Sequence, residues 1–162
     1  GLKGYSVTLA APDVPAHALF VDYRLASGRA IEPEIIPRPD GEVYICGMAD
    51  PQPLPDSAEG DEMSEAACAI LARAAGCVSN GLAAAAVTRR QACYRPVTED
   101  GLPLIGRVPD LAGAFVATGH GPWGMLNAPA TGLALAELIV DGRPTLLDLR
   151  PFDPARLPAV RA

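Results

Sequence analysis

Ala114-Phe115-Val116-Ala117-Thr118-Gly119-His120-Gly121-Pro122-Trp123-Gly124 carries a short apolar strand into a turn with three glycines. Gly119, Gly121 and Gly124 spell G-x-G-x-x-G, the spacing that opens dinucleotide-binding strand–turn–helix units. Three features oppose a doubly wound nucleotide-binding fold. Pro122 and Trp123 fill a turn where a phosphate loop needs small residues and free N–H groups. The next helix is predicted from Pro129, a first-turn proline, to Asp141, with Gly142 and Pro144 as its stop. That start is too late to meet the third glycine. No second strand ending in an acidic residue follows about 20 residues on; the chain runs instead into Leu149-Arg150-Pro151-Phe152-Asp153-Pro154. What survives is a loop suited to a planar, partly anionic ring. Glycines allow close backbone approach, a helix start offers N–H groups, and His120 and Trp123 add a donor and aromatic surface. The alternative is a tight strand–helix connection with no ligand.

Working outward, residues 114–118 do not alternate, which predicts a strand buried on both faces. Tyr5-Ser6-Val7-Thr8-Leu9 alternates as a strand, and residues 18–23 read as a second. Glu34-Ile35-Ile36, fenced by Pro33 and Pro37, predicts an edge strand or extended segment. The Asp40-Gly41 turn joins it to a strand over residues 42–47 as a hairpin. Residues 50–60, with Pro51, Pro53 and Pro55, read as a solvent loop. Met63, Ala66, Ala67, Ile70, Leu71 and Ala74 share one helical face, with Asp61 or Ser64 as N-cap and Gly76 at the end. Residues 83–94 read as a long strand and 96–109 as turn-rich. The order β-β-β-β-α-β-β-α predicts an α+β fold on a mostly antiparallel sheet.

Composition narrows the function. At 162 residues and 49% hydrophobic, the chain can build the core of one ordinary domain, or of a piece of a larger one. A formal charge of −6 without a basic run excludes sequence-independent nucleic-acid binding. The longest apolar tract, residues 125–140, is interrupted by Asn127, Pro129, Thr131, Gly132 and Glu137, so no membrane span is expected. The opening Gly1-Leu2-Lys3-Gly4-Tyr5 reads as the interior of a longer chain and not as a signal peptide. Cys46, Cys68, Cys77 and Cys93 form no C-x-x-C pair and lie far from His17 and His120. No metal site is expected, and four reduced, mostly buried thiols suit an intracellular protein. A nucleophilic hydrolase is excluded by the lack of a Gly-x-Ser-x-Gly elbow.

Tyr94-Arg95-Pro96-Val97-Thr98 ends the long strand, where an arginine can present its fork to a carboxylate or serve as an ordinary ion-paired surface residue. This run, then Asp100-Gly101-Leu102-Pro103-Leu104-Ile105-Gly106, Ala117-Thr118-Gly119-His120-Gly121, Gly124-Met125-Leu126 and Ala128-Pro129-Ala130-Thr131-Gly132, resembles the C-terminal signature of the D-amino-acid oxidase family. That FAD-dependent group includes glycine oxidase and sarcosine oxidase. Trp123, the run over residues 33–44 and the tail over 148–157 are similar to a less characterised branch of it.

The resemblance implies part of a two-domain α/β flavoprotein. Residues 1–92 would belong to the substrate domain and 93–162 to the C-terminal part of the FAD domain. Gly119, His120, Gly121, Pro122, Trp123, Gly124 and Met125 would lie against the FAD isoalloxazine, their N–H groups favouring negative charge on the reduced ring. Arg95, with Tyr94, would hold the carboxylate of a small amine or amino-acid substrate. The implied reaction is hydride transfer to flavin from a C–H beside an amine nitrogen; no catalytic side chain is assigned. Two departures matter. The family's own first-strand G-x-G-x-x-G is missing, which makes the N-terminal half of the same enzyme an expected partner and the chain inactive alone. No second arginine occupies the glycine loop. The alternative is a flavin-free interaction or structural module derived from such an enzyme.

Overall fold

In the computed structural model, which describes residues 1–51, 53 and 63–157, the alternation of Tyr5, Val7 and Leu9 becomes β1 (Leu2–Ala10). All three side chains enter one core. β1 pairs antiparallel with β6 (Glu42–Pro51) along its length, from Leu2 opposite Pro51 to Ala10 opposite Glu42. The register shifts between Tyr5 and Ser6, whose partners are Met48 and Cys46, so Gly47 is the extra residue of a bulge. A β-carbon at Gly47 would collide with the Glu32 carbonyl.

The expected hairpin is present: β5 (Glu34–Pro37) pairs antiparallel with β6 across the Asp40-Gly41 turn. Residues 18–23 do not form one strand. They split into β2 (Leu19–Phe20), which pairs with β5, and the first residue of β3 (Tyr23–Arg24), which pairs with β4 (Ala30–Ile31) in a separate ribbon. β5 is therefore covered on its outer side by two residues of β2 and is not the edge. The larger sheet runs β2-β5-β6-β1-β7, with β7 spanning Ala86–Arg95. β6 extends through Asp50 and Pro51, correcting the start of the expected solvent loop; the remainder of that loop, but for Pro53, lies outside the described residues.

One helix covers the core. Ser64 caps α1 (Glu65–Val78), its Oγ accepting the Ala67 N–H at 3.2 Å, while Asp61, the other candidate cap, lies outside the described residues. Ala67, Cys68, Leu71 and Ala75 pack with Ile35, Val43, Ile45 and Met48 of the sheet. Gly76 does not end the helix. It is the point where α2 (Asn80–Ala84) approaches, with Ala83 Cα 3.2 Å from where a β-carbon would stand. Ala83 and Ala84, expected at the start of the long strand, instead end this short helix. Its cap is Ser79, whose Oγ accepts the Gly81 N–H.

Residues 2–94 form one compact unit, and a second begins at Arg95. In the second, β8 (Leu104–Arg107) lies in the stretch read as turns and pairs with β9 (Phe115–Thr118) as a two-stranded ribbon. β9 is not buried on both faces: Ala117 is exposed and its neighbours half-buried, and no β9 residue enters the small core of this unit. α3 runs Gly124–Val140, with Pro129 inside it and not at its start. A 3-10 turn over Gly121–Trp123 leads directly into the helix, so the loop initiates it. By length and composition Gly121–Val140 would suffice to cross a membrane, which corrects the expectation that no stretch approaches a span. Here its Ala134 packs with Ile105 and Leu149 in a second small core.

Candidate functional site

The glycine loop sits where β9 hands over to α3, and each glycine has its own reason. Gly119 has φ +85°, and a β-carbon there would stand 2.9 Å from Thr98 Cγ2 and 3.3 Å from Pro103 Cα. It is shaped by both handedness and crowding. Gly121 has φ +56° but would meet only Val97 Cγ1, at 3.9 Å. Its N–H donates to the Pro96 carbonyl at 2.9 Å, tying the loop to the chain just beyond β7. Gly124 opens α3, so the third glycine of G-x-G-x-x-G does begin a helix, contrary to one of the three grounds against that motif. The other two grounds are unaffected: Pro122 and Trp123 occupy the turn, and after α3 the described chain forms short 3-10 turns rather than a strand.

No side chain caps the 3-10 turn or α3. The Gly121 N–H is taken by the Pro96 carbonyl, the Trp123 N–H by the His120 carbonyl, and Pro122 has none, so what the helix start offers is the positive end of its dipole. The surface around it is apolar: Trp123 is 62% exposed and Met125 93%. His120 does not project freely, because its Nε2 lies 3.0 Å from Oγ1 of Thr131, a buried residue two turns into α3. That pairing has no sequence signature, since a separation of 11 residues matches no local motif. Gly119 is buried, Gly121 and Gly124 are half-buried, and the exposed Trp123 and Met125 border them.

Tyr94 and Arg95 diverge in role. The Tyr94 hydroxyl donates to the Pro53 carbonyl at 3.0 Å, and the Lys3 ammonium lies 5.6 Å from its ring, so Tyr94 is engaged within the sheet unit. Arg95 is half-buried and, among the described residues, its side chain makes no hydrogen bond or ion pair. Its neighbour Pro96 is the residue that holds Gly121.

A second charged group shapes this unit. The Arg156 guanidinium, followed by the Leu102 N–H, holds the Asp100 carboxyl well below the usual carboxylate range. Among the described residues no cluster of three metal-binding side chains occurs. Cys46 and Cys68 are buried and Cys77 and Cys93 exposed, so the thiols are evenly divided and not mostly buried. Burial pushes the Cys68 thiol up, which leaves it a packing residue.

Comparison with known proteins adds three findings. The family described as FAD dependent oxidoreductase matches residues 1–138. A Schizosaccharomyces pombe protein named as an oxidoreductase is 33% identical over 156 residues, which is 95% of this chain and 40% of that protein. The solved glycine oxidase of Geobacillus kaustophilus superposes with a TM-score of 0.77 at 29% identity, covering 98% of this chain and 39% of that one. The chain thus spans about two fifths of the length of these relatives.

Proposed function

This chain belongs to the family of FAD-dependent oxidoreductases, and from that premise we propose that it contributes the flavin-facing loop and a substrate contact to an enzyme oxidising a C–N bond of an amine or amino acid. The observation that carries the proposal is the glycine loop that opens directly into α3, which no side chain caps, with Trp123 exposed beside it. Bound there, FAD supplies the hydride acceptor. The residues of this chain do the rest by position. The positive dipole end of α3 would favour negative charge on a ring bound against it. The Gly121 bond to Pro96 holds that helix start in place before any ligand arrives. Trp123, Met125 and Leu126 exclude water from that edge once covered. The Arg95 guanidinium, which has no ion pair among the described residues, supports a carboxylate clamp, with two parallel N–H···O bonds fixing the substrate.

The partner that suits this chain is the dinucleotide-binding half that the family resemblance implies; the chain spans two fifths of its relatives' length. α3 supports that reading: Met125, Leu126, Leu133 and Val140 are exposed on a helix that is apolar on several sides, as a helix covered by a further layer is. Visible absorbance of the chain, alone and titrated with FAD, tests it. Bound flavin supports a usable loop without further chain. A colourless chain that also stays colourless when joined to a dinucleotide-binding half would sink the flavin reading and favour a flavin-free module. For Arg95, substitution by Leu in the flavin-loaded enzyme is expected to raise KM for carboxylate substrates by about tenfold to a hundredfold. An unchanged KM removes Arg95 from the site.

A further inference from the structure

Building on the flavin-facing reading of the loop, we infer that Arg156, in the tail beyond α3, is a positioning residue for the glycine loop, acting through the Asp100 carboxylate. Arg156 is 18% exposed at its side chain and spends every part of its guanidinium on the chain. Nε donates to Asp100 Oδ2 at 2.7 Å, Nη2 to Asp100 Oδ1 at 3.1 Å and to the Leu102 carbonyl at 2.6 Å, and Nη1 to the Asp153 carbonyl at 3.2 Å. A two-point fork fixes distance and plane together, which a single ammonium cannot do.

The contact passes on in short steps. Asp100 Oδ1 accepts the Leu102 N–H at 3.1 Å, and the Leu102 carbonyl that Arg156 touches also accepts the Thr98 hydroxyl at 2.7 Å. Thr98 is the side chain on which Gly119 rests, and Pro96, two residues earlier, holds the Gly121 N–H. The far end is anchored as well. Asp153 Oδ1 caps the Ala155 N–H at 2.9 Å, and the Pro154 ring lies 2.9 Å from the position a β-carbon would take on Gly106 of β8. Pro122 and Trp123 on the outer side of the loop are exposed, so its inner support is what sets the direction in which α3 starts. Arg156 is 32 residues past the helix start it orients.

The test is amide hydrogen exchange of the whole chain without FAD, read at the Gly121 N–H against the β8–β9 and β1–β6 amides. Arg156→Gln and Asp100→Asn are each expected to speed Gly121 exchange about tenfold, with Arg156→Lys restoring part of the protection. The double variant should add little to either single one, since both remove the same link. Unchanged Gly121 exchange would overturn the inference. So would an equal rise across β8–β9, because Arg156 would then support the fold generally and not the loop. Should Arg156→Gln fail to fold, the same ratio is read in Arg156→Lys. As flavin is absent throughout, the result stands or falls separately from the flavin reading.

Discussion

Alanine at Gly119 and at Gly121 should differ in effect, although both glycines have positive φ and lie two residues apart. At either position the left-handed backbone costs an alanine roughly 1–2 kcal/mol. At Gly121 little is added, because the nearest atom to the new methyl group is Val97 Cγ1 at 3.9 Å. At Gly119 the methyl would stand 2.9 Å from Thr98 Cγ2 and 3.3 Å from Pro103 Cα, well inside van der Waals contact. Overpacking of that kind costs a further 1–3 kcal/mol or so, as the turn beneath must move. The assay is urea unfolding followed by the emission of Trp123, the one tryptophan in the chain and four residues from Gly119. With a slope of about 1 kcal/mol/M for a small unit, Gly119→Ala should unfold roughly 1–3 M earlier than Gly121→Ala. Midpoints for the two variants within about 0.5 M of each other would refute the crowding of Gly119 against residues 98–103.

Two further outcomes follow from the core and the tail. Asp100 has a depressed pKa in the folded chain, so its contribution to stability is present above the unfolded value of about 3.9 and is lost as pH falls below it. The urea midpoint reported by Trp123 should therefore drop below about pH 4, and Asp100→Asn should lower it at neutral pH while flattening the acid loss; an unchanged acid slope in that variant would remove the ion pair as its cause. Asp148, pulled to about 2 chiefly by Arg150, acts in the same direction and accounts for part of the remaining slope. Leu71→Ala empties a fully buried site between α1 and the sheet and should destabilise the larger unit by about 2–5 kcal/mol in far-UV circular dichroism melts, with Trp123 emission little affected.

Much of the fold was legible because it is periodic. The two-residue alternation of Tyr5, Val7 and Leu9, the Asp40-Gly41 turn and the helical spacing from Met63 to Ala74 each name an element by local geometry alone. Errors came where a residue type has two uses. Pro129 suits a helix start yet lies inside α3, and Gly76 suits a helix stop yet marks the approach of Ala83. The strand over residues 18–23 broke because two-residue pairings are set by what lies alongside, not by the segment itself.

By itself the sequence determined the α+β class, the family signature and the glycine loop as the place to look, since spacing and side-chain size are written along the chain. Tertiary structure alone decided what that loop rests on. Thr131 reaches His120 across 11 residues and Arg156 reaches Asp100 across 56, and no local rule pairs residues at such separations. It also separated two neighbours that the sequence treats alike: Tyr94 has its hydroxyl engaged in the sheet unit, whereas the Arg95 guanidinium has no partner among the described residues. Hydrogen-bond partners far apart in sequence become fixed only when the chain brings them within about 3 Å, which is why folding and not composition decides them.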